Sequence, residues 1–183
     1  MKATEQLKEE HAGIQLMLEI IQIVAKKMLA QEEVSAEELC GILDFFTVFV
    51  DTCHHGKEED FLFPVLEAKG IARDGGPIGV MLHEHELGRS HIASMKQALG
   101  DCSPAKRQAH AFHQAAEAYV LLLTQHIAKE NTVLFPMADK VLSPEQDLEL
   151  YENFEKLEVE RIGLGRHEEF HAFMDTLVKK YNL

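Results

Sequence analysis

Apolar residues recur at intervals of three and four along most of the chain, which is the spacing of amphipathic helices. No strand-like alternation competes with this pattern, so the predicted fold class is all-α. The pattern predicts four long helices and two further ones: about Thr4 to Ala30, Ser35 to Gly70, Pro77 to Leu99, Ser103-Pro104 to about Lys140, Ser143-Pro144 to near Gly163, and about Arg166 to Tyr181.

Helix-start signals and short connections indicate how these helices are arranged. Ser35 and Ser143 each precede a glutamate or glutamine by three residues, the spacing of a capping box in which both side chains bind free backbone amides. Long helices joined by short connections predict an up-down-up-down four-helix bundle over about residues 4–140. Residues from about 143 to 183 are then a C-terminal helical extension within one domain, 1–183.

Two stretches of the chain repeat one pattern. HHGKEEDFLFP begins at His54 and HIAKENTVLFP begins at His126, so both contain H-x3-E followed by Leu-Phe-Pro. Positions i and i+4 share one helix face, and each His-Glu pair continues the apolar stripe of its helix. A carboxylate in a bundle core is costly unless it is paired or coordinates a metal. Since no Lys or Arg is expected to point inward on these turns, the repeat indicates a metal site.

The other two bundle helices supply one core-facing histidine each. His11 lies between apolar residues of the first helix, and the apolar stripe of MLHEHELGRSH selects His85 rather than His83. The predicted metal ligands are therefore His11, His54, Glu58, His85, His126 and Glu130. Their neighbours His55, Glu59 and Glu84 are expected to face away and either to support the ligands from outside or to lie in solvent, with Glu59 the residue that a rotated helix would most easily bring into a bridging position. Pro64 and Pro136 are expected to kink their helices just beyond it.

These motifs resemble the hemerythrin-like (HHE cation-binding) family. The resemblance covers about residues 4–140 and rests on His11, on H-x3-EE-x2-LFP from His54, on the Glu84-His85 pair and on H-x3-E-x3-LFP from His126. It implies two iron ions without haem, held in the bundle as an oxo- or hydroxo-bridged di-iron centre. By position, the four histidines would be terminal ligands, and Glu58 and Glu130 would bridge the irons.

Two departures separate this sequence from the oxygen-carrying hemerythrins. Those proteins have an H-x3-H pair on the third helix, whereas Met81 and Arg89 stand four residues either side of His85 here. They also end with H-x4-D, whereas Asn131 follows His126 by five. The pattern of four His and two Glu resembles a wider branch, which includes bacterial di-iron proteins implicated in iron–sulfur cluster repair and an iron-sensing domain of a ubiquitin-ligase subunit.

The predicted function follows from the ligand set and from this resemblance. Imidazole and carboxylate ligands without thiolate suit iron, manganese or zinc. We expect a di-iron protein that binds or reacts with dioxygen, peroxide or nitric oxide, with a role in oxidative or nitrosative stress. The alternative is an iron-sensing, oxygen-sensing or oxygen-storage module without turnover. Whether the protein is an enzyme stays open.

Composition and charge restrict the classes of partner that we expect for this chain. With 18 Lys and Arg against 31 Asp and Glu, the net charge of −13 argues against nucleic acid. No long uncharged apolar run is present, and MKATEQLKEEH has no signal-peptide core, so we expect no membrane partner and a cytoplasmic location. Cys40, Cys53 and Cys102 are unclustered and indicate no disulfide framework.

A second histidine motif lies near the C-terminus. The stretch from His167 to His171 reads HEEFH and matches the H-E-x-x-H motif of zinc proteases. Such a site needs a third protein ligand, and no His or Glu follows His171. The motif therefore does not indicate a protease, while a contribution of either histidine to the bundle site stays open.

Overall fold

The computed structural model describes residues 1–100 and 108–183, and every regular element in these ranges is a helix. The bounds are α1 Lys2–Leu29, α2 residues 36–68, α3 Pro77–Leu99, α4 residues 109–141, α5 Pro144–Arg161 and α6 Arg166–Tyr181. Helices α1 to α4 form the bundle, and α5 and α6 pack on its outside against α1 and α2. The predicted all-α bundle with C-terminal helices is confirmed. The predicted start at Ser103-Pro104 lies outside the described residues. Within the described ranges, none of the helices combines the length and apolarity that crossing a membrane requires.

The two predicted capping boxes have different outcomes. Ser143 and Gln146 bind each other's backbone amides and form a complete box at the start of α5. The Ser35 hydroxyl accepts a hydrogen bond from the Glu38 amide, but the Glu38 carboxylate accepts hydrogen bonds from Lys180 and Tyr181 of α6 instead of closing the box. A tertiary contact has replaced the local one at this helix start.

Helices α2 and α4 widen into π-helix at the predicted site. The π-helical segments are Phe45–His55 and Glu58–Leu62 in α2 and Glu130–Leu134 in α4. The Phe63 amide donates to the Glu58 carbonyl five residues back, and the matching bond in α4 joins Phe135 to Glu130. Both wide turns end just before the Phe-Pro pairs of the repeat. The sequence predicted ordinary α-helix with a kink beyond the site, whereas the structure changes helix type at the site itself.

Buried apolar side chains form two clusters with a polar layer between them. In α1, Leu7 belongs to the smaller cluster, Ile14 belongs to the larger one, and buried His11 lies between the two. In each of the other three bundle helices the predicted ligands likewise lie between residues of the two clusters. The predicted metal ligands therefore occupy a layer that apolar side chains cover on both sides.

The two C-terminal helices reach these clusters separately. Before these apolar contacts, α5 makes a polar one at the start of α1. Asp147 accepts hydrogen bonds from the backbone amides of Lys2 and Ala3, at 2.9 and 3.0 Å, and so satisfies donors that the helix itself leaves free. The apolar contacts come from Leu150 and Phe154 of α5 in the smaller cluster and from Phe170, Met174 and Leu177 of α6 in the larger one.

The cysteines differ from the sequence-based expectation. Cys40 is disulfide-bonded, which the scattered spacing of the cysteines did not predict. Cys53 is a buried free thiol, and burial raises its pKa to about 12. Cys102 lies outside the described residues.

Two glycines test how closely α6 approaches the bundle. A Cβ at Gly41 would lie 2.5 Å from the ring of Phe173 on α6, whereas one at Gly13 would lie 3.7 Å from Met174. Gly13→Ala should raise the free energy of unfolding by up to about 1 kcal/mol, because alanine favours helix. Gly41→Ala should lower it by about 1 kcal/mol, because displacing the ring costs more than the helix gains. Urea unfolding measures both, and equal stabilisation by the two substitutions would contradict the close packing of α6.

Candidate metal centre

The structure brings the six predicted ligands together in the polar layer. All six are buried, with at most 1% of each residue exposed. Their potential ligand atoms fall into two groups, each with all atoms within 4.8 Å of one another, and both glutamates belong to both groups. The first group is His11, His54, Glu58 and Glu130, and the second is Glu58, His85, His126 and Glu130.

The histidines form two pairs, and each carboxylate spans from one pair to the other. The two Nε2 atoms are 3.1 Å apart in the His11–His54 pair and 3.2 Å apart in the His85–His126 pair. Measured from carboxylate oxygens to Nε2 atoms, Glu130 lies 3.2 Å from both His11 and His126, and Glu58 lies 3.8 Å from His54 and 3.4 Å from His85.

A fixed outer partner orients every one of these imidazoles. Each Nδ1 lies within hydrogen-bond distance of a side-chain oxygen, so Nδ1–H donates outward and the neutral ring keeps its lone pair on the inward Nε2. The partners are Asn131 for His11 at 2.9 Å, Glu10 for His54 at 2.7 Å, Glu59 for His85 at 2.7 Å and Glu84 for His126 at 3.0 Å.

The layer consequently contains acceptors without matching donors. Four Nε2 lone pairs point inward, and neither oxygen of Glu58 or of Glu130 has a hydrogen-bond partner. Burial and the neighbouring charge of Glu130 raise the pKa of Glu58 well above its ordinary value. Buried acceptors facing one another are unfavourable unless a cation lies between them. The donor set therefore suits metal cations that imidazole and carboxylate bind.

Each repeat has a lysine directly before its inward glutamate, and this lysine forms an ion pair with an outer carboxylate. Lys57 Nζ lies 2.5 Å from Glu10 and 3.1 Å from Glu158, and Lys129 makes the equivalent pair with Glu84. Lys57 is fully buried, so the expectation of no inward lysine on these turns was wrong. Although burial opposes it, hydrogen bonding to His54 and the charge of Lys57 lower the pKa of Glu10 to about 2. The charge of Lys57 is thereby taken up by Glu10 rather than by Glu58.

Of the three neighbours of the predicted ligands, two support the ligands from outside, which was one of the expected alternatives, and one lies inside the site. Glu59 and Glu84 are the outer partners just described, and His55 is 3% exposed with its ring stacked on His85 at a centroid distance of 3.8 Å. His55, His85 and His126 even form a third group of potential ligands. The physical reason for His55 is the π-helix Phe45–His55, whose wider turn brings an additional position inward.

The sequence did contain a signal for two of the outer carboxylates. Glu10 precedes His11 as Glu84 precedes His85, so the same Glu-His dipeptide occurs in both halves of the chain. The open question about the C-terminal histidines is also answered by their position. His167 and His171 lie in a cleft lined by α1, α5 and α6, and neither belongs to any of the three ligand groups in the described residues.

Fold and site together define a helical bundle with a buried histidine and carboxylate cluster suited to metal. The hemerythrin HHE cation binding domain family matches residues 2–138. The chain belongs to this family. That match covers all six predicted ligands and ends before α5.

Several curated proteins are similar to this chain. An uncharacterized protein of Mycobacterium tuberculosis (strain ATCC 25618 / H37Rv) is 28% identical over 165 residues, covering 88% of this chain and 63% of that protein. The iron-sulfur cluster repair proteins YtfE of Dickeya chrysanthemi and Musicola paradisiaca are 33% and 31% identical over 103 and 134 residues, covering 54% and 72% of this chain. These matches span 47% and 58% of the repair proteins' own length. No solved structure matches the chain.

Two buried glutamates should respond oppositely to neutralisation in protein freed of metal. Glu58→Gln should raise the free energy of unfolding by about 1–2 kcal/mol, because burial and the charge of Glu130 oppose ionisation of this carboxyl, and an uncharged amide avoids that cost. Glu10→Gln should lower it by about 3 kcal/mol, because it breaks a buried ion pair with Lys57. Chemical denaturation after chelation measures both. Destabilisation by Glu58→Gln equal to that by Glu10→Gln would contradict the acceptor-only character of the layer.

Proposed function

We propose that this chain is a non-haem di-iron protein that reacts with a small oxidant or diatomic molecule. His11 and His54 hold one iron, His85 and His126 hold the other, and Glu58 and Glu130 bridge them. The observation that supports this assignment is the pair of overlapping ligand groups that share both glutamates. A ligand set divided in this way serves two cations better than one.

The protein's own groups keep this site in one arrangement. The outer oxygens on the four Nδ1 atoms keep the Nε2 lone pairs inward, so little reorganisation is needed when metal enters. The two apolar clusters shield the layer from bulk water on both sides. Two iron ions supply electron exchange with dioxygen, peroxide or nitric oxide at coordination positions that six side chains do not fill.

The relatives support a link to stress chemistry. Two of the similar proteins are named for iron–sulfur cluster repair, and their matches cover 54% and 72% of this chain. We extend from them only the general role, a metal protein of the oxidative or nitrosative stress response. The cytoplasmic location expected from the sequence belongs to the same proposal.

Metal content and nitric oxide binding test the function together. Protein from iron-replete cells should contain close to two irons per chain, and nitric oxide should change its visible spectrum. His54→Ala and Glu58→Ala should each remove most of the iron, because a bridged pair of ions loses both when one shared or terminal ligand is missing. His83→Ala is the matched control, since His83 is an exposed histidine on α3 and should leave the iron unchanged.

The outcomes separate the parts of the proposal. Folded protein that has never met a chelator and contains no iron would overturn the di-iron assignment. Two irons whose spectrum does not respond to nitric oxide, peroxide or dioxygen would overturn the reactivity and leave the metal site.

A second candidate function, sensing of iron or oxygen, is favoured by one specific contact. Lys57 joins Glu10, the partner of His54, to Glu158 of α5. The position of His54 is thus connected through charged groups to a helix outside the bundle. A metal that binds only the native state would stabilise this connection by mass action.

Hydrogen exchange distinguishes sensing from a site without an external response. Iron should slow amide exchange in α5, and Lys57→Met should remove that effect because it breaks the connection to Glu158. Lys129→Met is the control, since the ion pair of Lys129 is with Glu84 of α3. Exchange in α5 that is the same with and without iron would exclude sensing through this helix.

A further inference from the structure

The H-E-x-x-H motif lies in an acidic cleft outside the bundle site. The cleft has a volume of about 580 Å³ and lies between α1, α5 and α6. Among its described lining residues, the only Lys or Arg is Lys2. A lining with this excess of negative charge raises the local concentration of cations. The acidic residues are Glu5, Glu9, Glu10, Glu155, Glu158 and Glu168.

Two histidines converge on one point of this cleft. His167 and His171 are one helical turn apart on α6, and their Nε2 atoms are 2.7 Å from each other. Their rings stack at a centroid distance of 4.6 Å, and Phe49 of α2 packs against both, at 5.3 and 6.3 Å. The pair is therefore held in register by a packed aromatic side chain rather than left to rotate freely in solvent.

A carboxylate lies beside one histidine of this pair, on the side of the ring away from the other histidine. Glu158 Oε1 lies 2.7 Å from His167 Nδ1, and Glu158 is itself fixed by Lys57 at 3.1 Å. Glu158 is therefore the anionic neighbour of the His167 ring on its Nδ1 side, and the Nε2 of this ring faces His171. A carboxylate behind a histidine is the usual support of a metal-binding imidazole.

We propose that His167 and His171 form a second metal site, which is open to solvent and takes a divalent transition ion of the zinc, nickel or copper class. Both Nε2 atoms are ligands, and water completes the coordination. For metal–nitrogen bonds of about 2.0–2.1 Å, two ligating nitrogens lie about 2.9 Å apart at a right angle and about 3.3 Å apart in a tetrahedral site, so the two Nε2 atoms need to separate by about 0.2–0.6 Å. No third protein ligand joins them among the described residues, so the ion exchanges readily and the site is not that of a protease.

Copper(II) bound to iron-loaded protein gives a direct test. One equivalent should show electron paramagnetic resonance splitting from two imidazole nitrogens, and calorimetry with nickel(II) should find one exchangeable ion per chain. The double variant His167→Ala/His171→Ala should lose this equivalent, and His171→Ala alone should bind at least about 10-fold more weakly. His83→Ala, which removes an isolated exposed histidine, should bind as the original protein does.

Iron content and circular dichroism distinguish an effect on the cleft site from an effect on the bundle site. Because the double variant leaves the six bundle ligands in place, its iron content and circular dichroism should match those of the original protein. A copper spectrum without two nitrogens, or a double variant that keeps the full equivalent of nickel, would overturn the proposal. The difference between the original protein and the double variant measures the cleft site even if the bundle holds no iron, so the two proposals fail separately.

Discussion

The burial of six electron-pair donors in one layer is the constraint on which the rest of this structure depends. Two carboxylates and four imidazoles face one another between two apolar clusters, and the described residues offer the carboxylate oxygens no hydrogen-bond donor. Such a layer opposes folding unless a cation neutralises it. A cation that binds this layer would therefore stabilise the folded bundle, while the apolar clusters on either side favour folding in any case.

The two halves of the chain build this layer by exchanging support. In each half, the glutamate that precedes the first ligand histidine accepts a hydrogen bond from the second ligand histidine. Glu10 accepts from His54, and Glu84 accepts from His126. The residue that follows each inward glutamate instead bonds a histidine of the other half. Glu59 of the first half accepts from His85, and Asn131 of the second half accepts from His11. Neither half is complete alone. The repeated sequence thus encodes an interlocked arrangement rather than two independent sites.

The C-terminal helices make the two halves unequal. Lys57 and Lys129 occupy matching places in the repeat, but Lys57 is fully buried and also binds Glu158, whereas the Lys129 side chain is 38% exposed. The same Glu158 supports His167 in the acidic cleft. One half of the bundle is therefore joined through charged groups to a surface where cations are favoured, and this asymmetry is absent from the repeat itself.

Most of the helical architecture could be predicted from the sequence because it depends on local patterns. The last helix begins and ends at the predicted Arg166 and Tyr181. At the start of α5, Ser143 and Gln146 form the predicted capping box. The sequence also predicted correctly that His11 and His85 lie beside the repeated His-Glu pairs, because each histidine continues the apolar stripe of its helix. The role of these residues as ligands remains a prediction, which the metal measurements decide.

What the sequence alone determined is the set of faces that turn inward, because helical periodicity is a property of neighbours along one chain. What only the tertiary structure decided is how groups on different helices compete for the same partners. Glu38 binds α6 instead of closing its capping box, and the π-helix of α2 brings His55 inside. The acidic residues beside the ligands become their supports only because opposite helices pack within hydrogen-bond distance. These outcomes depend on distances between chain segments, which a periodic pattern does not contain.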